Sequence, residues 1–346
     1  MTYAYIPVTI TNSESTATPT DFQQLVTVDL SYYSAFLNQD LSNTFFSSDT
    51  AGSTVVTSWL ESGNTYPFSS VNFWLYLPDG IGASSSITVY LQVDLTNTSH
   101  FNTTTTGVAP QLTSTYAEYD NASTIFNFYD NFIGTTLSSK WVTGASGGTY
   151  TVDNGLSLSI PATSGDYVYV ASASAIASQP IITESYMNGN SLNLSGVRTG
   201  FGLVPSQTYL IASGTSQDHV SWQGSELAIT EIVSSVQTGT SYVNPTSVNP
   251  VDGNYHLWGI EWLSGEAGFW YNGYSPTTTT SDVPTDTTYV TLSYYANALP
   301  SSTPPSILYQ WVRTRLYPPS GVMPSASAGI PSGFPYYNTT TYEDLL

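Results

Sequence analysis

Hydrophobic and polar residues alternate with a period of two along most of this chain, which predicts β-strands with one buried face. Residues 24–30 (QLVTVDL), 71–78 (VNFWLYLP) and 86–95 (SITVYLQVDL) are clear examples. No stretch keeps a helical period over three turns, and Gly, Ser and Pro separate the strands. The pattern therefore predicts an all-β protein built from antiparallel β-sandwiches. The residues predicted to point inward are Val26, Val28, Leu30, Val71, Phe73, Leu75, Leu77, Ile87, Val89, Leu91 and Val93.

Residues 254–274 (NYHLWGIEWLSGEAGFWYNGY) predict a β-hairpin near the end of the chain. It consists of a Trp-rich strand, a short acidic turn and an aromatic strand that ends at Asn-Gly. Many sugar-handling β-sandwiches carry a hairpin of this kind. The segment therefore raises the question whether this chain cleaves glycans, binds them or only shares the scaffold.

The chain divides into three predicted segments. Residues 1–125 form an N-terminal β-sandwich, residues 126–317 form a second one, and residues 318–346 form an extended tail rich in Pro and Tyr. A shift in composition supports the first boundary, because residues 1–139 contain no Lys or Arg. The four basic residues are Lys140, Arg198, Arg313 and Arg315.

The charge balance excludes some partners. The 24 acidic and four basic residues give a formal net charge of −20. Binding to nucleic acid requires basic residues that displace counterions from phosphate, so we expect no nucleic-acid partner. With most carboxylates protonated at about pH 2–3, the chain would keep a small net charge in acid. This suits the habitat of a thermoacidophile; a generic acidic secreted protein is the alternative.

Several other features bear on where the protein is made and where it acts. The chain has no Cys, and we expect neither a disulfide framework, nor a metal, nor a cofactor. No apolar run approaches the ~20 residues of a membrane span, and no signal peptide opens the chain. We expect assembly into a virion after cytosolic synthesis, or else a trimmed secreted protein. Five sequons predict N-glycosylation: Asn97, Asn102, Asn121, Asn193 and Asn338.

The first segment resembles a β-sandwich module of unassigned function from archaeal and some bacterial surface proteins. The matching pieces are residues 5–30, 59–91 and 126–132. The shared pattern is a first strand that ends in Thr-Asn-Ser, then Asp-Phe-Gln before the next strand, and later Trp-x-Glu-Ser. This chain lacks the Lys and Arg that are usual in that module.

The second segment resembles a concanavalin A-like lectin/glucanase domain, which often follows that module. Phe132, Gly134, Leu137 and Trp141 match the opening pattern of the family, and residues 151–160 match the following strand pair. The hairpin of residues 254–274 and the closing strand of residues 308–318 complete the resemblance. The family implies a jelly roll, with the strand of Glu184 and Tyr186 and that of Arg198 lining the concave sheet.

The carboxylates do not form a recognisable catalytic motif. Retaining glycanases need two carboxyl groups about 5–5.5 Å apart, and the family places them as Glu-x-Asp-x-x-Glu or Glu-x-Asp-x-Glu, which is absent here. Glu226 and Glu231 have odd spacing, and no Gly-x-Ser-x-Gly frames a nucleophilic serine. We therefore expect no enzymatic activity. The other candidate carboxylates are Glu184, Glu261 and Glu266.

Aromatic and basic residues favour glycan binding instead, because sugar faces pack on exposed rings. In the strand of residues 308–318, alternation places Tyr309, Trp311, Arg313 and Arg315 on one face. The opposite face is aliphatic and is predicted to pack in the core. The alternative is that Trp258, Trp262 and Trp311 are core residues and that the arginines neutralise nearby acids. The candidate glycan-binding residues are Glu184, Tyr186, Arg198, His219, Trp222, Tyr309, Trp311, Arg313 and Arg315.

Three hypotheses remain open. The first is a non-enzymatic, extracellular structural or attachment protein on the outside of an archaeal virion or cell. It would contact other subunits, bind host-surface glycans through the second segment, and have no membrane insertion. It predicts that Trp222→Ala or Arg313→Ala weakens glycan binding. The second is a subunit of a cell-surface filament, whose self-association depends on residues 318–346. The third is a degenerate glycoside hydrolase, whose release of reducing ends is lost in Glu184→Gln.

Overall fold

A computed structural model describes the protein. It covers residues 3–176, 179–189, 197–204, 206–209, 219–223, 229–232, 241–243, 252–272, 277–280, 283, 288–296, 298, 300 and 302–335. The chain forms two compact units: unit 1 comprises Met1–Phe126 with Pro318–Leu346, and unit 2 comprises Asn127–Tyr317. The described residues contain β-strands and short 3₁₀ helices only, which confirms the all-β prediction.

The strands are numbered in chain order. The first eight belong to unit 1: β1 Tyr3–Asn12, β2 Phe22–Val28, β3 Thr44–Ser47, β4 Val55–Val56, β5 Ser58–Ser62, β6 Val71–Leu77, β7 Ser85–Asp94 and β8 Thr106–Val108. Unit 2 contains β9 Phe128–Asp130, β10 Trp141–Ser146, β11 Thr149–Val152, β12 Leu156–Ser159, β13 Tyr167–Ser172, β14 Ile181–Asn188, β15 Val197–Val204, β16 His219–Gln223, β17 Ile229–Ile232, β18 Ser241–Val243, β19 His256–Leu263, β20 Glu266–Tyr271, β21 Thr277–Thr279, β22 Tyr289–Ala296 and β23 Ile307–Leu316. Strand β24, Ser325–Ala328, belongs to unit 1.

The helices of the described residues are all 3₁₀ turns, and none has the length and hydropathy of a membrane span. They are Ser31–Phe36, Pro110–Leu112, Ala122–Thr124 and Pro319–Gly321.

Unit 1 is built from two sheets. One has the strand order β24-β1-β7-β3-β4 and the other has the order β2-β6-β5-β8, in which β5 and β8 are parallel. The predicted inward residues of β2, β6 and β7 are buried, except that Ile87 is half-buried near the start of its strand. Burial of alternate side chains on one face of each strand is what fixes this register.

The Trp-x-Glu-Ser motif has a structural role in unit 1. Trp74 of β6 is buried, and its ring N–H donates a hydrogen bond to the Glu61 carboxylate of the neighbouring β5. Trp59, paired with Trp74 across the two strands, donates its ring N–H to Asp120 at 2.9 Å. Each buried indole N–H therefore has an acceptor, as burial of a polar group requires.

Residues 318–346 were predicted to be a separate tail, whereas their described part is integrated into unit 1. Strand β24 pairs with β1 from Thr11↔Ser325 to Val8↔Ala328. Further along, Phe334 is buried against the rings of Tyr33 and Phe36. The prediction of a tail missed this because a four-residue strand among Pro and Gly has no readable period.

The asparagines of the predicted N-glycosylation sites differ in how deeply they are buried. Asn97 is exposed, and Asn102 donates from Nδ2 to the His100 carbonyl at 2.9 Å. Asn121 is fully buried, and its Nδ2 donates to the Ser58 carbonyl at 3.2 Å. A glycan is attached at Nδ2, so the folded chain has no room for one at Asn121 and that prediction was wrong. Asn193 and Asn338 lie outside the described residues.

Unit 2 is a sandwich of a seven-stranded and an eight-stranded sheet. The strand orders are β10-β13-β22-β15-β16-β17-β18 and β11-β12-β23-β14-β19-β20-β21, and β9 also pairs with β23. One apolar core cluster gathers side chains from both sheets, including Phe201, Trp258 and Trp262. The proposed core role of the two tryptophans is therefore confirmed, since each is at most 2% exposed.

The predicted hairpin of residues 254–274 is strands β19 and β20, which pair from Trp258↔Tyr271 to Leu263↔Glu266. His256 closes its open end. One ring nitrogen of His256 contacts Asp252 at 2.9 Å, and the other contacts the side-chain amide of Asn272 at 3.0 Å. The hydrogen bond from His256 lowers the pKa of the Asp252 carboxyl well below its usual range. The His and Asn of this motif therefore hold the hairpin together.

Candidate functional site

A β-bulge in β23 determines which of its side chains lie together. Tyr186 of β14 pairs with Trp311, whereas the next residue of β14 pairs with Tyr309. Gln310 is therefore an extra residue, and side-chain alternation restarts after it. Tyr309 consequently faces the core, so its predicted place on the same face as Trp311 was wrong. The opposite face of the eight-stranded sheet carries Trp311, Arg313 and Arg315.

Tyr309 crosses the core instead of facing a ligand. Its hydroxyl donates a hydrogen bond of 2.7 Å to the Gly200 carbonyl of β15, in the other sheet. Burial raises the pKa of the Tyr309 phenol well above its ordinary value. Tyr309 therefore links the two sheets as a neutral donor, and it is not a candidate for glycan binding.

Glu184, Arg313 and Arg315 form one buried ion cluster, called the Glu184 cluster below. Glu184 and Arg313 stand directly opposite each other on β14 and β23, and Arg313 donates from Nε to Oε2. Arg315 donates from Nε to Oε1 at 2.8 Å, with Nη2 2.7 Å from the same oxygen. The exposed fractions are 1% for Glu184, 0% for Arg313 and 8% for Arg315. Both carboxylate oxygens are thus occupied by guanidinium groups.

The two arginines keep Glu184 charged. Burial alone would raise the pKa of the Glu184 carboxyl, but the charges of Arg313 and then Arg315 outweigh it and hold the pKa below its ordinary value. A carboxyl that stays ionised and shares its oxygens with two donors is a poor general acid and a poor nucleophile. The arrangement therefore suits a structural lock more than acid–base chemistry.

Glu261 lies on the same sheet face as Glu184. In the pairing of β14 with β19, Glu184 stands opposite Gly259 and Ile182 stands opposite Glu261, so the two carboxylates are one diagonal step apart. Burial raises the pKa of Glu261, Arg315 opposes this, and the charges of Glu184 and Glu266 add to it. Two neighbouring carboxyls with pKa values displaced in opposite directions are a recognised acid–base signature. The spacing of carboxylates along single strands does not reveal this pair, because its two members lie on different strands.

The Glu184 cluster should make stability depend on pH. The folded-state pKa of Glu184 is below its ordinary value of 4.5, so its contribution is present above that value and is lost as the pH falls through the folded pKa. We expect Glu184→Gln to destabilise the protein at neutral pH, with a deficit that shrinks below pH 4.5. Urea unfolding midpoints across the acid range would measure it.

Glu261→Gln is the matched control for that prediction. The pKa of Glu261 is raised in the folded state. The stabilising contribution of Glu261 to the free energy of unfolding is therefore present below the unfolded pKa and is lost as the pH rises through the folded pKa. The Gln variant should therefore be at least as stable as the parent at neutral pH and equal to it in acid. The same pH profile for both variants would contradict the assignment.

Aromatic rings continue the Glu184 cluster along the same sheet face. The Arg313 guanidinium lies 4.7 Å from the ring centre of Trp311, which stacks on Tyr186 at 5.7 Å. Tyr186 in turn stacks on Tyr255 at 5.6 Å. Trp311 is 1% exposed, so the rings that reach solvent here are those of Tyr186 and Tyr255, each half-buried. Trp311 packs against its neighbours as the core alternative proposed, although on the face away from the core cluster.

The outer face of the seven-stranded sheet carries a second group of rings, called the tyrosine surface below: Tyr167, Tyr169, Tyr209 and Tyr295. Tyr167 stands opposite Tyr295 on neighbouring strands, and Tyr209 stacks on Tyr167 at 4.2 Å. Tyr209 also lies 5.1 Å from Tyr295 and 6.5 Å from Tyr169. All four rings are half-buried, so each keeps part of its surface in solvent.

Backbone features shape the tyrosine surface. A Cβ added at Gly144 of β10 would lie 2.4 Å from the Tyr169 ring, so only glycine lets that ring lie over the neighbouring strand. Arg198 of β15, also half-buried, stands opposite Tyr295 and supplies a positive charge beside the rings. Burial, followed by Tyr295 and Tyr167, raises the pKa of Tyr209, so its phenol stays neutral. Four phenol rings and one guanidinium form an amphipathic face.

The predicted site residues do not form one surface. Glu184 and Tyr186 lie in the eight-stranded sheet and Arg198 lies in the seven-stranded one, so they do not line a common sheet as the family resemblance implied. His219 and Trp222 belong to β16, beside β15, and their side chains lie outside the described part of the structure. The tyrosine surface was missed, although the alternation in DYVYVAS (residues 166–172) already places two tyrosines on one face.

Within the described residues, no group of three or more His, Cys, Asp or Glu side chains is arranged to hold a metal ion.

The chain has a sequence relative among the proteins of an archaeal virus. No protein-family model matches the chain. The chain is 36% identical over 187 residues to "Uncharacterized protein 562" of Sulfolobus islandicus rod-shaped virus 1. The alignment covers 51% of this chain and 31% of the viral protein, so this chain spans less than a third of that relative. The chain is thus similar to part of a protein of an archaeal virus.

The solved structures that resemble this chain include glycoside hydrolases. A β-glucanase of Bacillus licheniformis shares 16% identity with a TM-score of 0.43, over 54% of this chain and 97% of the enzyme. A family 16 glycosyl hydrolase of Mycobacterium smegmatis shares 20% identity with a TM-score of 0.40, over 55% of this chain and 99% of that one. The resemblance of residues 1–125 to a surface-protein module stays a prediction.

Proposed function

We propose that this protein is a non-enzymatic structural and attachment component on the outside of an archaeal virus particle. The observation that carries the proposal is its 36% identity over 187 residues to a protein of a rod-shaped virus. The net charge of −20 supports an external position, because a subunit that packs nucleic acid needs basic side chains. The subunit would meet other copies of itself or other particle subunits.

The tyrosine surface of unit 2 is the part that we assign to glycan contact. Tyrosines offer rigid rings for the apolar faces of sugars, and their hydroxyls reach sugar oxygens at a low entropic cost. Arg198 adds a donor of several hydrogen bonds at the edge of this surface. The buried members of the predicted binding set, Trp311 and Arg313, are less suited to contact with a ligand.

A glycoside hydrolase is the second candidate, and the Glu184–Glu261 pair favours it. The pKa values of the two carboxyls are displaced in opposite directions, as a catalytic acid and its partner require. The burial of Glu184 and the occupation of both its oxygens count against a substrate reaching it. We therefore place the hydrolase second.

The location of the chain tests the first proposal. Mass spectrometry of purified particles should detect the protein, and immunogold electron microscopy with antibodies to unit 2 should label the outside of intact particles. Protease treatment of intact particles should cleave it before any internal protein. Absence from washed particles would overturn the virion assignment, and its recovery from filaments of uninfected cells would favour the filament hypothesis.

A further inference from the structure

Residues 324–334, called the arm below, complete unit 1 from the far end of the chain. The arm belongs to the segment 318–346 of unit 1, and the whole of unit 2 separates this segment from residues 1–126 in the sequence. The arm extends the five-stranded sheet at the edge formed by β1. Its backbone contacts with β1 are the pairs Thr11↔Ser325, Ile10↔Ala326, Thr9↔Ser327 and Val8↔Ala328, the Gly329 N–H to the Pro7 carbonyl at 2.7 Å, and two hydrogen bonds of 2.9 Å between Tyr5 and Ser332.

The two ends of the arm are anchored in unit 1. At the start, Gln24 donates from Nε2 to the Pro324 carbonyl at 2.9 Å. At the end, the ring of Phe334 is 7% exposed and lies 4.9 Å from Tyr33 and 5.3 Å from Phe36. Between these anchors, three of the four side chains of β24 are exposed. Backbone hydrogen bonds and one buried ring therefore hold the arm, as they hold a peptide that adds a strand to a sheet edge.

The segment that leads into the arm is strained. Ser320 adopts φ 54° and ψ 19°, in the left-handed region that a residue with a side chain avoids. Pro318 and Pro319 precede it, and the ring of each proline fixes its φ, which leaves Ser320 to absorb the change of direction. An extended segment would release the strain at Ser320 and carry the arm away from its own β1.

We propose that the arm is an exchangeable strand, which in assembled particles leaves its own unit 1 and occupies the β1 edge of a second copy of this chain. Exchange keeps every contact of the arm, since the second copy offers the same edge and the same pocket for Phe334. Only residues 318–323 change conformation. At low concentration the arm's own edge is favoured by its proximity, and a high local concentration of copies shifts the balance. The inference deepens the structural part of the proposed function and rests on it.

Single cysteines test the exchange, because the natural chain has none. Thr9 and Ser327 stand directly opposite each other and neither is fully buried. Residues paired in this way have Cα separations that a disulfide accepts. Purified Thr9→Cys and Ser327→Cys chains would be mixed, concentrated until they assemble, and oxidised. We expect dimers in which a peptide containing position 9 of one chain is linked to a peptide containing position 327 of another.

Two companion variants make each outcome decisive. A chain carrying both Thr9→Cys and Ser327→Cys should form the disulfide within itself when dilute and between chains when assembled. Ser69→Cys, at an exposed serine of the same unit, reports random collisions when mixed with Thr9→Cys. Links within single chains alone, or no link in the double variant, would overturn the proposal, as would a protein that stays monomeric at every concentration. Absence of the natural protein from particles would instead contradict the proposed function, and it would not affect the evidence for exchange that the disulfide links provide.

Discussion

Arg313→Ala should lower the free energy of unfolding of unit 2 by about 3–5 kcal/mol, the usual cost of removing one partner of a buried ion pair. The substitution leaves Glu184 charged in a site where it is 1% exposed, with Arg315 as its remaining ion-pair partner in the Glu184 cluster. It also removes the guanidinium that stacks on Trp311. Hydrogen exchange of the full chain should show faster amide exchange in β14 and β23, the strands that carry the cluster.

Two controls separate this effect from a general loss of packing. Arg198→Ala removes a half-buried arginine from the other sheet and should cost about 1 kcal/mol or less. Glu184→Gln combined with Arg313→Met should cost less than the sum of the single variants, because the second change no longer strands a charge. A loss for Arg313→Ala as small as that for Arg198→Ala would contradict the buried ion cluster.

The burial of Arg313 also affects how glycan binding can be tested. Arg313→Ala was predicted from the sequence to weaken glycan binding by removing a contact. Because Arg313 is fully buried, a weaker binding in that variant would reflect a destabilised unit 2, not a lost contact with a sugar. Binding must therefore be tested at residues that reach solvent.

The fold was predictable because it depends on local alternation. Val26 and Val28 of β2 and Leu75 of β6 are buried as the period of two requires, and residues 254–274 form the expected hairpin. The bulge at Gln310 was not predictable, since an extra residue leaves the polar pattern of β23 readable in two ways. This one residue moved Tyr309 from the candidate surface into the core.

The candidate sites depend on strand pairing over long sequence distances. Glu184 meets Arg313 only because β14 and β23 are neighbours in the eight-stranded sheet. Tyr167 meets Tyr295 in the same way through β13 and β22. Alternation assigns a side chain to a face, but it does not say which strand lies alongside, so neither site could be assembled from the sequence.

Pairing also explains why the carboxylate pair was overlooked. Glu184 and Glu261 belong to strands that are not neighbours in the sequence, and their shared face follows from the register of β14 with β19. The family motif looks for carboxylates along one strand. A pair formed across strands carries no such signature, which is why the hydrolase hypothesis needs a test of its own.

Tyr169→Ala combined with Tyr295→Ala should weaken binding to a host-surface glycan by about 30-fold or more, since two central rings of a contact surface are together worth roughly 2 kcal/mol or more. An array of glycans released from host cells would identify the ligand, and calorimetric titration would give the affinities. The substitutions remove half-buried rings from an outer sheet face, so unit 2 should keep its fold.

Tyr150→Ala is the matched control for the tyrosine surface, because it removes a ring that is 40% exposed on a strand of the other sheet. Binding should be unchanged in that variant. Equal affinity of the double variant and the parent would contradict the assignment of the tyrosine surface, and equal weakening by Tyr150→Ala would place the contact elsewhere.

If the bound glycan instead releases reducing ends, and Glu261→Gln abolishes the release while binding persists, unit 2 is a hydrolase. The tyrosine surface would then have to bind the substrate of a carboxylate pair on the other sheet of the sandwich. The outer face of the seven-stranded sheet is poorly placed to present a substrate to that pair. Binding without release is therefore the result that the geometry favours.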